Sequence, residues 1–164
     1  MSLYLQFLIV FLLALAPGFE ARYAILTAYA LHLDLAISLT LCLIAIVVLS
    51  ITLPILLNSV EHYIVTHADR GRVTRCLAEL YMRYVERARA RCRRYVDRWG
   101  FLGLVIFVAI PLPATGIWTG ALAAHVLGLQ RSKTITALII GGFISLLITS
   151  APLAIPRLWA VMSS

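Results

Sequence analysis

Apolar residues in this chain come in long uninterrupted tracts, and what divides the tracts is proline, glycine or a cluster of charge. Residues 35–57 carry no charge and as a helix would extend about 34 Å, enough to cross a hydrocarbon layer of about 30 Å with slight tilt. Residues 134–155 are also uncharged and predict a second span. Pro54 and Pro152 fall near the ends of these tracts, where a proline disturbs few helical hydrogen bonds. The other tracts are shorter and occur in pairs. Residues 3–16 and 21–31 flank Pro17-Gly18, and residues 101–110 and 114–129 flank Pro111-Leu112-Pro113. Each pair reads as one long kinked helix or as a hairpin entering and leaving by the same membrane face. A single helix over 3–31 would be about 44 Å long, which strong tilt absorbs, so length alone leaves both open.

Charge placement separates the two. Residues 1–60 carry only Glu20, Arg22 and Asp34, whereas residues 61–98 carry ten arginines against five acidic residues. Both arrangements put the basic segment in the cytoplasm, but only hairpins also put Arg131 and Lys133 there and leave His32-Leu33-Asp34 outside. The positive-inside bias favours hairpins. The expected fold is therefore an all-α integral membrane domain spanning 1–164. It has a first re-entrant hairpin (1–31), a span (35–57), a basic amphipathic helix (61–98), a second hairpin (101–129) and a second span (134–155). Each half crosses once, so the halves are inverted relative to each other, as in many secondary transporters.

Composition agrees with burial in lipid: 62% of the 164 residues are hydrophobic, 13% are charged and mean hydropathy is +0.97. A soluble domain is nearer half apolar and a quarter charged. The opening apolar run lacks a positive n-region, and Pro17 would follow its Ala14-Leu15-Ala16 cleavage-like end, so it is expected to be retained. Within 61–98, Val73, Leu77, Leu80, Tyr84 and Ala88 recur at helical intervals with arginines filling much of the other surface. That face either lies on anionic lipid headgroups or serves as a cytoplasmic connector whose charges fix topology. Membrane tethering already accounts for the charge, so no nucleic-acid partner is expected. Cys42, Cys76 and Cys92 suggest neither a disulfide framework nor a zinc site. No Walker loop, dinucleotide fingerprint or nucleophile elbow is present, and the expectation is a non-enzyme without cofactor or metal.

Candidate chemistry concentrates at the two breaks. Pro17-Gly18-Phe19-Glu20-Ala21-Arg22 places an acid and a base at membrane depth, where ionisable groups are expensive and by default functional. Glu20 begins the returning half-helix, whose dipole favours an anion there. Arg22 lies two residues on, on a different helix face, so pairing with Glu20 does not follow from spacing. The structural reading is that both cap the break, or line a seam between copies of the chain. At the second break, Pro111 and Pro113 withhold backbone donors while Gly116 and Gly120 permit close approach. Irregular backbone at that depth needs protein or a wet cavity around it. Its freed carbonyls, with Thr115 and Thr119, are candidates to bind a polar group or an ion, while the glycine pair fits tight helix packing. His125 is a candidate proton relay without a visible partner, and Glu61, His62, His67 and Asp69 read as a solvated loop.

These stretches resemble the small multidrug export protein family, a branch related to the DedA superfamily. The resemblance rests on Pro17, Glu20 and Arg22 as a P-x-x-E-x-R element and on the run F-V-A-I-P-L-P-A-T-G-I-W-T-G-A-L over residues 107–122. It implies a multi-pass inner-membrane transporter with paired hairpins. From the DedA side it implies proton-coupled movement of an amphiphilic or lipid-like molecule, such as a lipid carrier handled by a flippase. Glu20 matches the acidic position of the first hairpin. The second-hairpin arginine positions fall on Val108 and Ala114, neither of them basic, so Arg22 is the candidate to supply that charge. Efflux of hydrophobic cations and a non-transporting structural role are the alternatives. Membrane lipids, protons and a second copy of the chain are the expected partners.

Overall fold

The computed structural model describes residues 2–67, 99–112 and 115–162. Every element among them is a helix: α1 (Leu3–Leu15), α2 (Glu20–Ala30), α3 (Leu35–His67), α4 (Trp99–Ala109), α5 (Ile117–Leu127) and α6 (Arg131–Met162). The basic segment expected over 61–98 lies, from residue 68 onward, outside the described residues, as do Asp69, Pro113 and Ala114.

Two helices are long and apolar enough to cross a membrane, Leu35–Glu61 and Arg131–Leu153. The helices that contain them, α3 and α6, run past the expected ends at 57 and 155. Pro54 lies inside α3, and Pro152 and Pro156 lie inside α6, so proline does not stop either helix. The loop expected at Glu61 to His67 is instead the last part of α3. An apolar helix buried among neighbours tolerates an interior proline because surrounding groups satisfy the freed backbone.

The ends have local causes. Asp34 Oδ1 accepts the Ile37 N–H at 2.9 Å and starts α3. Gly128, at φ 71°, closes α5 in the left-handed conformation, with its N–H on His125 O and the Leu129 N–H on Ala124 O. Between α1 and α2, Pro17 and Gly18 turn the chain, with Gly18 at φ 87° and Glu20 at φ 56°.

α1 and α2 pack against each other, and both pack on α3. α6 packs on α2, α3 and α5. α4 closes the group: Val108 reaches the backbone of both Gly120 on α5 and Gly141 on α6. The core between helices is small-residue rich, with Ala24, Ala28, Ala45, Ala121, Ala124 and Ala137 almost fully buried. Outward faces keep large apolar side chains exposed, including Ile44, Val48 and Ile51 on α3 and Ile140, Phe143 and Leu147 on α6. An apolar exterior over a small-residue interior suits helices packed within lipid.

Candidate functional site

The two proline-interrupted breaks meet. Glu20, at the start of α2, extends its carboxylate to the start of α5, where Oε2 accepts the Ile117 N–H at 3.1 Å and Oε1 the Trp118 N–H at 3.3 Å. Those amides have no partner within their own helix and carry the positive end of its dipole. The acid of one break thus caps the helix of the other. Trp118 adds a second tie, its Nε1–H donating to Leu15 O at the end of α1 at 3.2 Å.

Arg22 satisfies the opposite polarity. Its Nη1 donates to Ile110 O at 3.2 Å and Leu112 O at 3.1 Å, and its Nη2 to Thr115 O at 3.0 Å and to Glu20 Oε2 at 3.2 Å. Three carbonyls of the irregular backbone before α5 are therefore gathered by one guanidinium. Glu20 and Arg22 are only 6% and 7% exposed, so this is a buried ion pair whose remaining donors and acceptors are spent on backbone. Burial without such partners would be strongly unfavourable. Spacing in a regular helix would keep the two side chains apart. The left-handed backbone at Glu20 takes it out of the helical series and makes the pair possible.

The residues around the second break complete the geometry. Thr115 Oγ1 donates to Ile110 O at 2.7 Å and accepts from the Leu112 N–H at 3.2 Å, holding the turn closed. Thr119 Oγ1 accepts the Gly116 N–H at 2.9 Å. A Cβ on Gly116 would overlap the Glu20 carboxylate, while one on Gly120 would meet Val108 at 2.6 Å and Leu138 at 3.0 Å. Gly120 is a packing glycine, and Gly116 is what lets the acid approach the helix. A cavity of about 10 Å³ adjoins the pair, lined by Glu20, Arg22, Ile46, Val108, Gly142 and Ser145 among others.

His125 stands near the other end of α5 and has a partner that spacing did not reveal. Its Nε2 is 3.0 Å from Glu61 Oε2, with the two side chains 6% and 22% exposed. The contact has ion-pair distance without hydrogen-bond angles. Sequence alone missed it because the residues lie far apart in the chain and the expected loop at Glu61 is helix. Beside His125 is a cavity of about 60 Å³ lined also by Pro54, Asn58, Arg131 and Thr134. Among the described residues no group of three or more His, Cys, Asp or Glu side chains is placed to hold a metal ion.

No curated protein and no solved structure matches the chain. One family model does, over residues 20–148, and that stretch begins at Glu20 and contains Arg22, both faces of the second break and both candidate spans as far as residue 148. A membrane protein by its two apolar spans, the chain belongs to the family described as "Putative small multi-drug export protein".

Proposed function

We propose that the chain is a proton-coupled transporter of an amphiphilic, lipid-like molecule, with Glu20 as the group that exchanges the proton. The observation that carries this reading is the shared carboxylate. Glu20 holds the α5 N-terminus and Arg22 together through bonds that all depend on its negative charge. Charge-assisted hydrogen bonds are roughly twice as strong as neutral ones. A proton on Glu20 therefore weakens three contacts between the breaks at once. It also frees the Ile117 and Trp118 amides and one edge of Arg22, a donor set that accepts an anionic headgroup. A hydrophobic cation would instead have to draw Glu20 from Arg22, leaving a guanidinium buried among carbonyls. The anionic or zwitterionic substrate is favoured on that ground.

In this reading the breaks are the tips of two re-entrant hairpins in an inverted repeat across the inner membrane, and the relation to the DedA superfamily is part of the proposal. A second reading, a non-transporting structural clasp, is favoured by one observation: the pair is satisfied within the protein and its cavity holds only about 10 Å³. Reconstituted liposomes with an imposed pH gradient separate them. Uptake of a short-chain fluorescent phospholipid and of a hydrophobic cationic dye is measured for the parent and Glu20→Gln, beside size exclusion and thermal stability. A folded Glu20→Gln protein that no longer moves the lipid is the expected result. Full transport by that variant ends the proton-carrier role, and loss of folding with no transport by the parent supports the clasp.

A further inference from the structure

Polar groups are spaced along the seam between α3 and α6, from one end of α5 to the other. On α3, Ile46, Ser50, Pro54, Asn58 and Glu61 follow one another at intervals of three or four residues and so share a face. On α6, Arg131, Thr134, Leu138, Gly142 and Ser145 do the same. The helices run antiparallel along these faces. Ile46 meets Gly142, with an added Cβ there 3.0 Å from Ile46 Cγ2, while Pro54 and Asn58 line the His125 cavity with Arg131 and Thr134.

Two hydroxyls on this seam stand out. Ser50 and Ser145 are 0% and 3% exposed, and neither Oγ has a hydrogen-bond partner among the described residues. Serine in a buried helix ordinarily returns its hydroxyl to a carbonyl one turn back, as Ser38 does to Asp34 O at 2.7 Å. An orphaned buried hydroxyl costs stability, so two on one seam call for a use. Ser145 lines the small cavity together with Glu20, whose size is that of a single water.

We propose that the α3–α6 seam is a gated proton path, entering at the His125–Glu61 pair, passing Ser50 and Ser145, and ending on the Glu20 carboxylate. It deepens the proton coupling proposed for Glu20 and rests on that reading. Among the described residues, the charged groups near His125 are Glu61 from α3 and Arg131 from α6, which lines the same cavity; Lys133 is exposed. The His125–Glu61 contact, 3.0 Å long, borders the cavity and is where the proton enters the seam. Each hydroxyl or water on the way accepts one proton and releases another. The step ends when Glu20 becomes a carboxylic acid, the proton having come from the aqueous phase at the cavity.

The path is interrupted as it stands. Ser50 lies one turn to one side of the Ile46–Gly142 contact and Ser145 just under one turn to the other, about 10 Å apart along the helices. Proton transfer between oxygens needs separations near about 2.8 Å. Ile46 stands between them and Leu138 stands on α6 level with Ser50; both are almost fully buried and keep this stretch dry. Only movement of α3 against α6 admits the water that joins the two parts, so the path does not short-circuit the gradient.

The test uses the full-length chain in liposomes with an entrapped pH dye and a potassium diffusion potential, without any substrate. Parent protein should pass few protons. Leu138→Ser and, independently, Ile46→Ser should raise the flux several-fold, and adding Ser145→Ala or His125→Asn to either should return it to the parent level. Folded Leu138→Ser and Ile46→Ser proteins that do not leak overturn the path, as does a leak that Ser145→Ala and His125→Asn leave unchanged. If Glu20→Gln abolishes lipid uptake while the leak ignores the seam substitutions, the path fails and the role of Glu20 stands. Should both serine variants fail to fold, a Ser145→Cys protein with its other cysteines replaced is exposed to a small water-soluble thiol reagent. Labelling slowed by His125→Asn supports the path, and an inert Cys at 145 overturns it.

Discussion

At the scale of single residues, the decisive feature is that one carboxylate and one guanidinium divide the backbone of a break between them. Glu20 takes the amides that begin α5, and Arg22 takes the carbonyls that precede it. Gly116 is the permissive element, because only its missing side chain lets the carboxylate in. Gly116→Ala should therefore destabilise the protein by about 1–3 kcal/mol, the usual range for overpacking. The diagnostic is a cycle with Glu20→Ala: once the carboxylate is gone, the alanine at 116 should cost much less, and thermal unfolding in detergent of the four proteins measures that non-additivity. Additive costs would show that Gly116 is needed for its backbone alone. Both the acid and the glycine were visible in the sequence as break residues, but their meeting was not. It depends on a positive φ at Glu20, a conformation uncommon outside glycine that no local spacing rule anticipates. Arg22 adds a second residue-scale expectation. Arg22→Lys keeps the charge but cannot spread donors over Ile110 O, Leu112 O, Thr115 O and Glu20 together, so it should lose about 2 kcal/mol of thermal stability. A lysine variant as stable as the parent would remove the fork geometry from the account.

At the scale of elements, the apolar tracts were legible because lipid demands uninterrupted hydrophobicity, and the two candidate spans follow them closely. Where the sequence misled, the solvated loop expected at Glu61 to His67 is helix: α3 continues through Pro54 to His67, carrying Glu61 to His125. Pairings across such distances depend on which helices become neighbours, which periodicity does not report. The same holds for Ser50 and Ser145, inconspicuous in apolar runs until α3 and α6 face each other. These hydroxyls yield an element-scale prediction with opposite signs on two readouts. Ser50→Ala and Ser145→Ala should each raise thermal stability by about 1 kcal/mol, because each removes an unmet buried polar group, while slowing proton-driven lipid uptake. Destabilisation by both alanines would mean that the hydroxyls are held by contacts formed in the native packing, and the seam would lose its claim to a function.

At the scale of the whole molecule, the contacts of Glu20 and Arg22 form a lock that joins the half ending with α3 to the half ending with α6, and the charge distribution orients the molecule. Net charge is +7, contributed almost entirely by the segment between the halves and by Arg131, Lys133 and Arg157. If both breaks are the tips of re-entrant hairpins, the turn before α6 returns to the same side as the basic segment, and the positive-inside bias assigns that side to the cytoplasm. If each pair instead forms a full kinked crossing, the turn is external. Ser132 is the place to ask, being exposed and outside every contact that holds the lock. A single cysteine there, in a protein whose own cysteines are replaced, should resist a membrane-impermeant thiol reagent in intact cells and react once the cytoplasmic face is opened. A cysteine near His32 should behave in the opposite way, since the acidic turn before α3 belongs to the outer face in the same arrangement. Reaction of the Ser132 site from outside would turn the second pair into a full crossing. It would also move the cavity at His125 to the external side, reversing the direction from which protons reach Glu20 along the α3–α6 seam.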